Sequence, residues 1–116
     1  NLTPEELRRV ELHSLVWGEP LPQQVQGPDL VLASECVYDL GLVDPLLATL
    51  AELLSSGAED AVALVAYDRS IGRNAAYAAF EAGASARFGR FEALSCSEAR
   101  YRSDNCALYA LACPRF

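Results

Sequence analysis

The chain has 116 residues, 52% of them hydrophobic, and a formal charge of −7 at pH 7. That length and apolar content suit one domain, or part of one, burying about two-thirds of its unfolded surface, and they exclude a disordered chain. Sixteen acids face nine bases, every base an arginine, a balance that argues against a phosphate-binding face and so against nucleic acid as a partner.

The four cysteines, Cys36, Cys96, Cys106 and Cys113, form no C-x-x-C pair and have one histidine, His13, to join them. Neither a metal site nor a disulfide framework is expected, which suits a reducing cytoplasmic compartment, with the nucleus also open. No apolar run reaches the length of a membrane span, and no basic segment followed by an apolar one suggests a signal peptide. The chain opens on Asn1 and contains no methionine, so it is expected to be processed or a fragment.

In chain order, Thr3-Pro4-Glu5-Glu6 reads as a helix opening, with Thr3 as cap, Pro4 at the first position and acids in the first turn. Residues 10–16 alternate loosely and suit a strand closing at Trp17-Gly18, with His13 as a strand histidine. Residues 19–28 carry three prolines and a glycine and form a loop. Residues 30–33 then run without a polar side chain into Ser34, Glu35 and, three positions on, Tyr38. Such a run predicts a strand covered on both faces. In open α/β sheets, ligands bind beyond the carboxyl ends of the strands, which is where Ser34, Glu35 and Tyr38 emerge.

Leu42, Val43, Leu46, Leu47, Leu50, Leu53 and Leu54 recur at helical steps, with Asp44 and Pro45 as cap and first position and Ser56-Gly57 as the end. Residues 61–67 read as a second strand covered on both faces. Asn74 caps a helix weakened at Gly83. Residues 91–95 and 106–111 are two further strands, and the polar segment 98–105 joins them directly, so they pair antiparallel. The order is α/β with a terminal hairpin. A nucleotide-binding sheet opens with a strand and a G-x-G turn, yet the seven glycines never fall two apart. Residues 1–116 are therefore expected to be a partial domain lacking an N-terminal, glycine-rich cofactor-binding half.

Leu15-Val16-Trp17-Gly18-Glu19, the proline-bearing loop and the stretch from Asp29 to Tyr38 carry a resemblance. They resemble the third and fourth strands of the seven-stranded, S-adenosylmethionine-dependent protein methyltransferases of family 16, the methyltransferase-like 21 group. Glu35-x-x-Tyr38 resembles that family's acidic-x-x-aromatic motif. Further echoes lie at residues 66–74 and 98–104, so nearly the whole chain from Val10 is covered.

The resemblance implies a Rossmann-like class I methyltransferase fold, of which this chain holds strands three to seven in the sheet order 3-2-1-4-5-7-6. It implies S-adenosylmethionine as cofactor, Trp17 packed near the adenine, and Ser34 at the small position against the cofactor. The family more often has alanine and aspartate where this chain has Ser34 and Glu35. It further implies a monomer acting on a protein substrate, with a valosin-containing-protein-type ATPase or another chaperone as candidate partners.

The chemistry fits carboxylate and ring. Methyl transfer to an amine is an in-line displacement, served by alignment and exclusion of water. Lysine titrates near ~10.4, so freeing its amine at neutral pH costs about 4 kcal/mol, and a neighbouring carboxylate raises that cost by favouring the ammonium. Glu35 is therefore expected to capture and align the lysine, while Tyr38 walls its channel or bonds the amine. Two other classes remain open: a non-catalytic or degenerate interaction module, and a small-molecule methyltransferase. An amino-methylating DNA enzyme would carry a proline-proline-aromatic signature, which residues 34–38 lack.

Overall fold

A computed structural model describes residues 1–95 and 105–113 of the chain. Its elements are α1 (Pro4–Leu7), β1 (Leu30–Ser34), α2 (Val43–Ser56), β2 (Val62–Asp68), α3 (Asn74–Arg87), β3 (Arg90–Ala93) and β4 (Cys106–Ala112). Four strands form one sheet in the order β1-β2-β4-β3, β1 parallel to β2 and the other pairings antiparallel. This is the expected mixed α/β architecture with its terminal antiparallel pair, and its order matches the 4-5-7-6 portion of the seven-stranded arrangement. The segment expected to join that pair falls mostly at 96–104, outside the described residues, as does Cys96.

Both long helices pack on one face of the sheet. The leucine stripe of α2 supplies Leu46, Leu47, Leu50 and Leu54 to the core, α3 adds Ala76, Tyr77, Phe80 and Ala84, and the sheet meets them with Ala33, Ala63, Val65, Tyr67, Tyr109 and Leu111. Fully burying one such leucine contributes about 1.5–3 kcal/mol. The predicted cover on both faces of residues 30–33 and 61–67 is not what forms. β2 alternates buried with half-buried residues, and on β1 the other face is open, with Leu30 54% and Leu32 72% exposed. The run of apolar residues was legible as a strand, and the helices bury one of its two faces.

The strand expected over residues 10–16 is absent, and those residues are mostly exposed, Leu12 at 94%. A strand needs a neighbour to bond, and among the described residues no strand lies beside this segment. His13 accordingly sits exposed outside any strand.

Helix starts follow the sequence in part. Thr3 caps α1 as expected, its hydroxyl accepting from the Glu6 N–H at 3.1 Å while Glu6 reaches back to the Thr3 N–H. Asp44 does not cap α2, whose N-cap Leu42 makes no side-chain bond; Asp39 caps the 3-10 turn that precedes it. Its side chain accepts from Gly41 N–H and closes a 3-10 turn over Leu40–Leu42, so the α-helix begins at Val43. Asn74 is the first residue of α3 instead of its cap, following Arg73 without a side-chain cap bond. Gly83 does not interrupt α3, which continues to Arg87. A Cβ there would lie 2.5 Å from Leu47 Cδ1, so the glycine lets the two helices approach.

Candidate functional site

Because β1 and β2 are parallel and paired Ser34 to Ala66, their carboxyl ends finish side by side. The residue that leaves β1 is Glu35, and its backbone has φ 56°, the one positive value at a non-glycine among the described residues. That conformation costs about 1–3 kcal/mol and persists where surrounding bonds fix it. Two do. The Glu35 N–H donates to the Ala66 carbonyl at 2.9 Å, and its carboxylate Oε1 accepts the Asp68 N–H at 2.8 Å. The acid is thus turned back across the carboxyl edge of the sheet and held there. It is exposed, and its second oxygen has no hydrogen bond among the described residues.

The turn that follows buries Val37 and leaves Tyr38 45% exposed. The Tyr38 ring tilts against Trp17, centroids 6.3 Å apart. Trp17, Tyr38, Leu15, Val16 and Leu42 line an open groove of about 270 Å³. A second groove of about 230 Å³ lies on the other side of Tyr38, toward Arg73 and Asn74, where Arg73 Nη1 donates to the Tyr38 carbonyl at 3.4 Å. Each is smaller than a usual small-molecule pocket of roughly 300–1,000 Å³, so these residues make walls, not an enclosure.

What holds Trp17 in place was not foreseen. Thr49, Glu52 and Ser56 lie on one stripe of α2 and accept the backbone N–H groups of Gly18, Leu21 and Gly27, at 2.8, 3.1 and 3.2 Å. The stripe pins the whole loop of residues 18–27 along the helix. Gly18 is required at this corner: its φ is +87°, and a Cβ would stand 3.1 Å from that of Pro45. The polar spacing of three and four in α2 was visible beside the leucine stripe; what it would bond was not.

Four sequence-derived residues therefore occupy the following places. Glu35 lies at the carboxyl edge on Asp68, Tyr38 lies in the turn beyond it, and Trp17 is brought against Tyr38 from a distant loop. Ser34 ends β1 with an exposed side chain, and its carbonyl accepts a long bond from Cys36 Sγ at 3.6 Å. Burial pushes the Cys36 thiol up from its ordinary range, opposed by that carbonyl and aided by the Glu35 charge. Asp68, missed in the sequence because its role is played by its backbone, is the hub: its carboxylate is held below the usual range by the Ser70 hydroxyl and N–H.

Among the described residues, no group of three or more His, Cys, Asp or Glu could hold a metal ion, and no helix is long and apolar enough to cross a membrane. A parallel pair ending in an exposed acid and an aromatic wall, with an antiparallel strand pair completing the sheet, is the carboxyl-terminal layout of a Rossmann-like methyltransferase. Residues 2–81 match the lysine methyltransferase family. That is well over half of the 116 residues, and the chain belongs to this family. Both strands bearing the site, and the start of the chain with Trp17, fall within the matched span.

Proposed function

We propose that this chain is the acceptor side of an S-adenosylmethionine-dependent protein-lysine N-methyltransferase, completed by a glycine-rich half that lies on the open sheet face and the free edge of β1. The observation that carries the reading is Glu35, kept in a costly backbone conformation with its carboxylate fixed on the Asp68 N–H. Strain maintained by specific bonds at a strand end supports a functional reading of the position.

The donor set fits an adenosyl cofactor on one side. Trp17 offers a half-buried ring lining a groove, and Ser34 a hydroxyl at the end of β1. The cofactor, when bound, supplies an electrophilic methyl carbon on a positively charged sulfur. Glu35 receives the lysine ammonium on its unbonded oxygen, a charge-assisted contact that fixes the nitrogen. Tyr38 and Trp17 exclude water around it, and the proton departs to solvent, because the carboxylate favours the charged amine and does not act as its base. Alignment of amine and methyl is what these residues contribute, and such alignment is worth orders of magnitude in rate.

Support for a protein substrate comes from the family match and from the exposure of Glu35 and Tyr38, which a side chain on another folded protein can reach. A valosin-containing-protein-type ATPase or another chaperone in the cytoplasm or nucleus, met by a monomeric enzyme, completes the proposal. Glu35→Ala in the complete enzyme tests it. The expected result is a loss of methyl transfer to lysine of about 10²-fold or more; a variant that methylates at the native rate removes the reading.

A further inference from the structure

Glu35 is aimed by one bond to one backbone N–H, so its direction is only as firm as Asp68 itself. Asp68 is gripped from three sides. Its carboxylate Oδ1 accepts from the Ser70 N–H at 2.9 Å and the Ser70 hydroxyl at 2.7 Å, which closes the 3-10 turn of Arg69–Ile71. The next N–H, of Arg69, donates at 2.8 Å to the carbonyl of Asn105, the residue just before β4. From α3, the Tyr77 hydroxyl donates to the Asp68 carbonyl at 2.9 Å.

The third grip differs from the other two. Tyr77 is 2% exposed and its ring stacks on Tyr67 at 4.4 Å with planes 10° apart, so its hydroxyl has little freedom to move. The Tyr67 hydroxyl bonds Glu81, Glu81 takes Arg69 Nη2 at 2.8 Å, and the same nitrogen donates to the Tyr109 hydroxyl at 2.7 Å. The chain of contacts anchors the ring stack to α3 and β4 together. Fixing both the N–H and the C=O of Asp68 leaves that residue's backbone no room to swing, and the Glu35 carboxylate with it.

We propose that Tyr77 is a positioning residue, holding the Asp68 backbone so that its N–H presents the Glu35 carboxylate to the incoming lysine. It rests on the reading of Glu35 given above, and it adds a residue that touches neither substrate nor cofactor. Its oxygen alone carries the role, since the ring belongs to the core.

Tyr77→Phe is the test, because it keeps the stack and deletes only the donor. In the full chain, nuclear magnetic resonance reads the Asp68 amide directly. The expected result is an exchange rate about tenfold faster, from loss of one buried hydrogen bond, with the scalar coupling between Asp68 nitrogen and the Glu35 carboxylate abolished and Val65 exchange unchanged. In the complete enzyme kcat falls about tenfold through misalignment, at an unchanged KM for S-adenosylmethionine. Leu111→Val, which softens a fully buried β4 position outside this chain of contacts, leaves coupling and kcat intact. Should Tyr77→Phe unfold, 4-fluorophenylalanine at position 77, which fills the place of the hydroxyl without donating, is expected to lose the same coupling, and an intact coupling there overturns the inference.

Unchanged coupling in Tyr77→Phe overturns the inference, as does an equal loss of kcat in Leu111→Val, which would mean general softening. The two readings fail separately. A native rate in Glu35→Ala removes the proposed function, whereas an inactive Glu35→Ala beside a Tyr77→Phe with native kcat and coupling removes the role of Tyr77 alone.

Discussion

At the scale of single residues, the candidate site joins an acid fixed on a backbone N–H, Glu35 on Asp68, to two aromatic walls. Tyr38 contributes through its ring, which lines the groove with Trp17, and its hydroxyl makes no hydrogen bond among the described residues. Tyr38→Phe should therefore lower the methylation rate by no more than about threefold, while Tyr38→Ala, which opens the wall to water, should lower it at least about tenfold. A steady-state assay on both variants checks the order. Tyr67 predicts a pH dependence. Burial, then its bond to Glu81, pushes its hydroxyl well above the ordinary value. A group raised in the folded state contributes stability that is fully present below its unfolded pKa, about 10, and is lost as pH rises through the folded pKa. Denaturant midpoints measured from pH 8 to 11 should fall above pH 10, and Tyr67→Phe should flatten that fall.

At the scale of elements, α2 does two jobs with two stripes. Its leucines fill the core, and Thr49, Glu52 and Ser56 hold the loop that carries Trp17. Thr49 is 3% exposed, so Thr49→Val keeps its shape and strands the Gly18 N–H, at a cost of about 1–2 kcal/mol. Trp17 is the chain's one tryptophan, and its emission should shift to the red in that variant before global melting begins. Gly57→Ala tests the end of the same helix. A Cβ there would meet the Pro28 carbonyl oxygen at 2.2 Å, and the backbone on both sides must move, which should cost about 1–3 kcal/mol in thermal or denaturant unfolding.

These elements also show what the sequence could and could not reveal. The α2 leucine spacing, the Thr3-Pro4 start and the terminal strands were readable because period and capping are local. The strand expected at residues 10–16 was misread because alternation specifies a strand only where a neighbour exists to bond it. The two-faced burial of β1 was overread for a related reason: an apolar run states a need for cover and does not supply it. In the candidate site, the position of Glu35 and Tyr38 past the carboxyl end of β1 was legible from the apolar run, and Trp17 was named from the resemblance. Asp68 and Tyr77 were not, since a backbone N–H leaves no mark on residue type and a tyrosine in a helix reads as core.

At the scale of the whole molecule, the helices cover one face and leave the other apolar. Leu30 and Leu32 on β1 continue into the half-buried Val62, Leu64 and Ala66 on β2. Among the described residues, the outer edge of β1 has no partner strand. An exposed edge beside an apolar face is a surface awaiting cover, and the proposed glycine-rich half would bury it while supplying the cofactor turn. Leu32→Glu should leave the stability of this chain within about 0.5 kcal/mol, because Leu32 is 72% exposed, and should reduce assembly of the complete enzyme.

The most direct measurement follows a labelled methyl group from S-adenosylmethionine, offered with a protein extract to this chain alone and to the chain extended upstream through a glycine-rich segment. The account predicts label on lysine side-chain nitrogens with the extended protein and none with residues 1–116. Label transferred by residues 1–116 unaided, or carried to an acceptor other than a protein lysine, would contradict it.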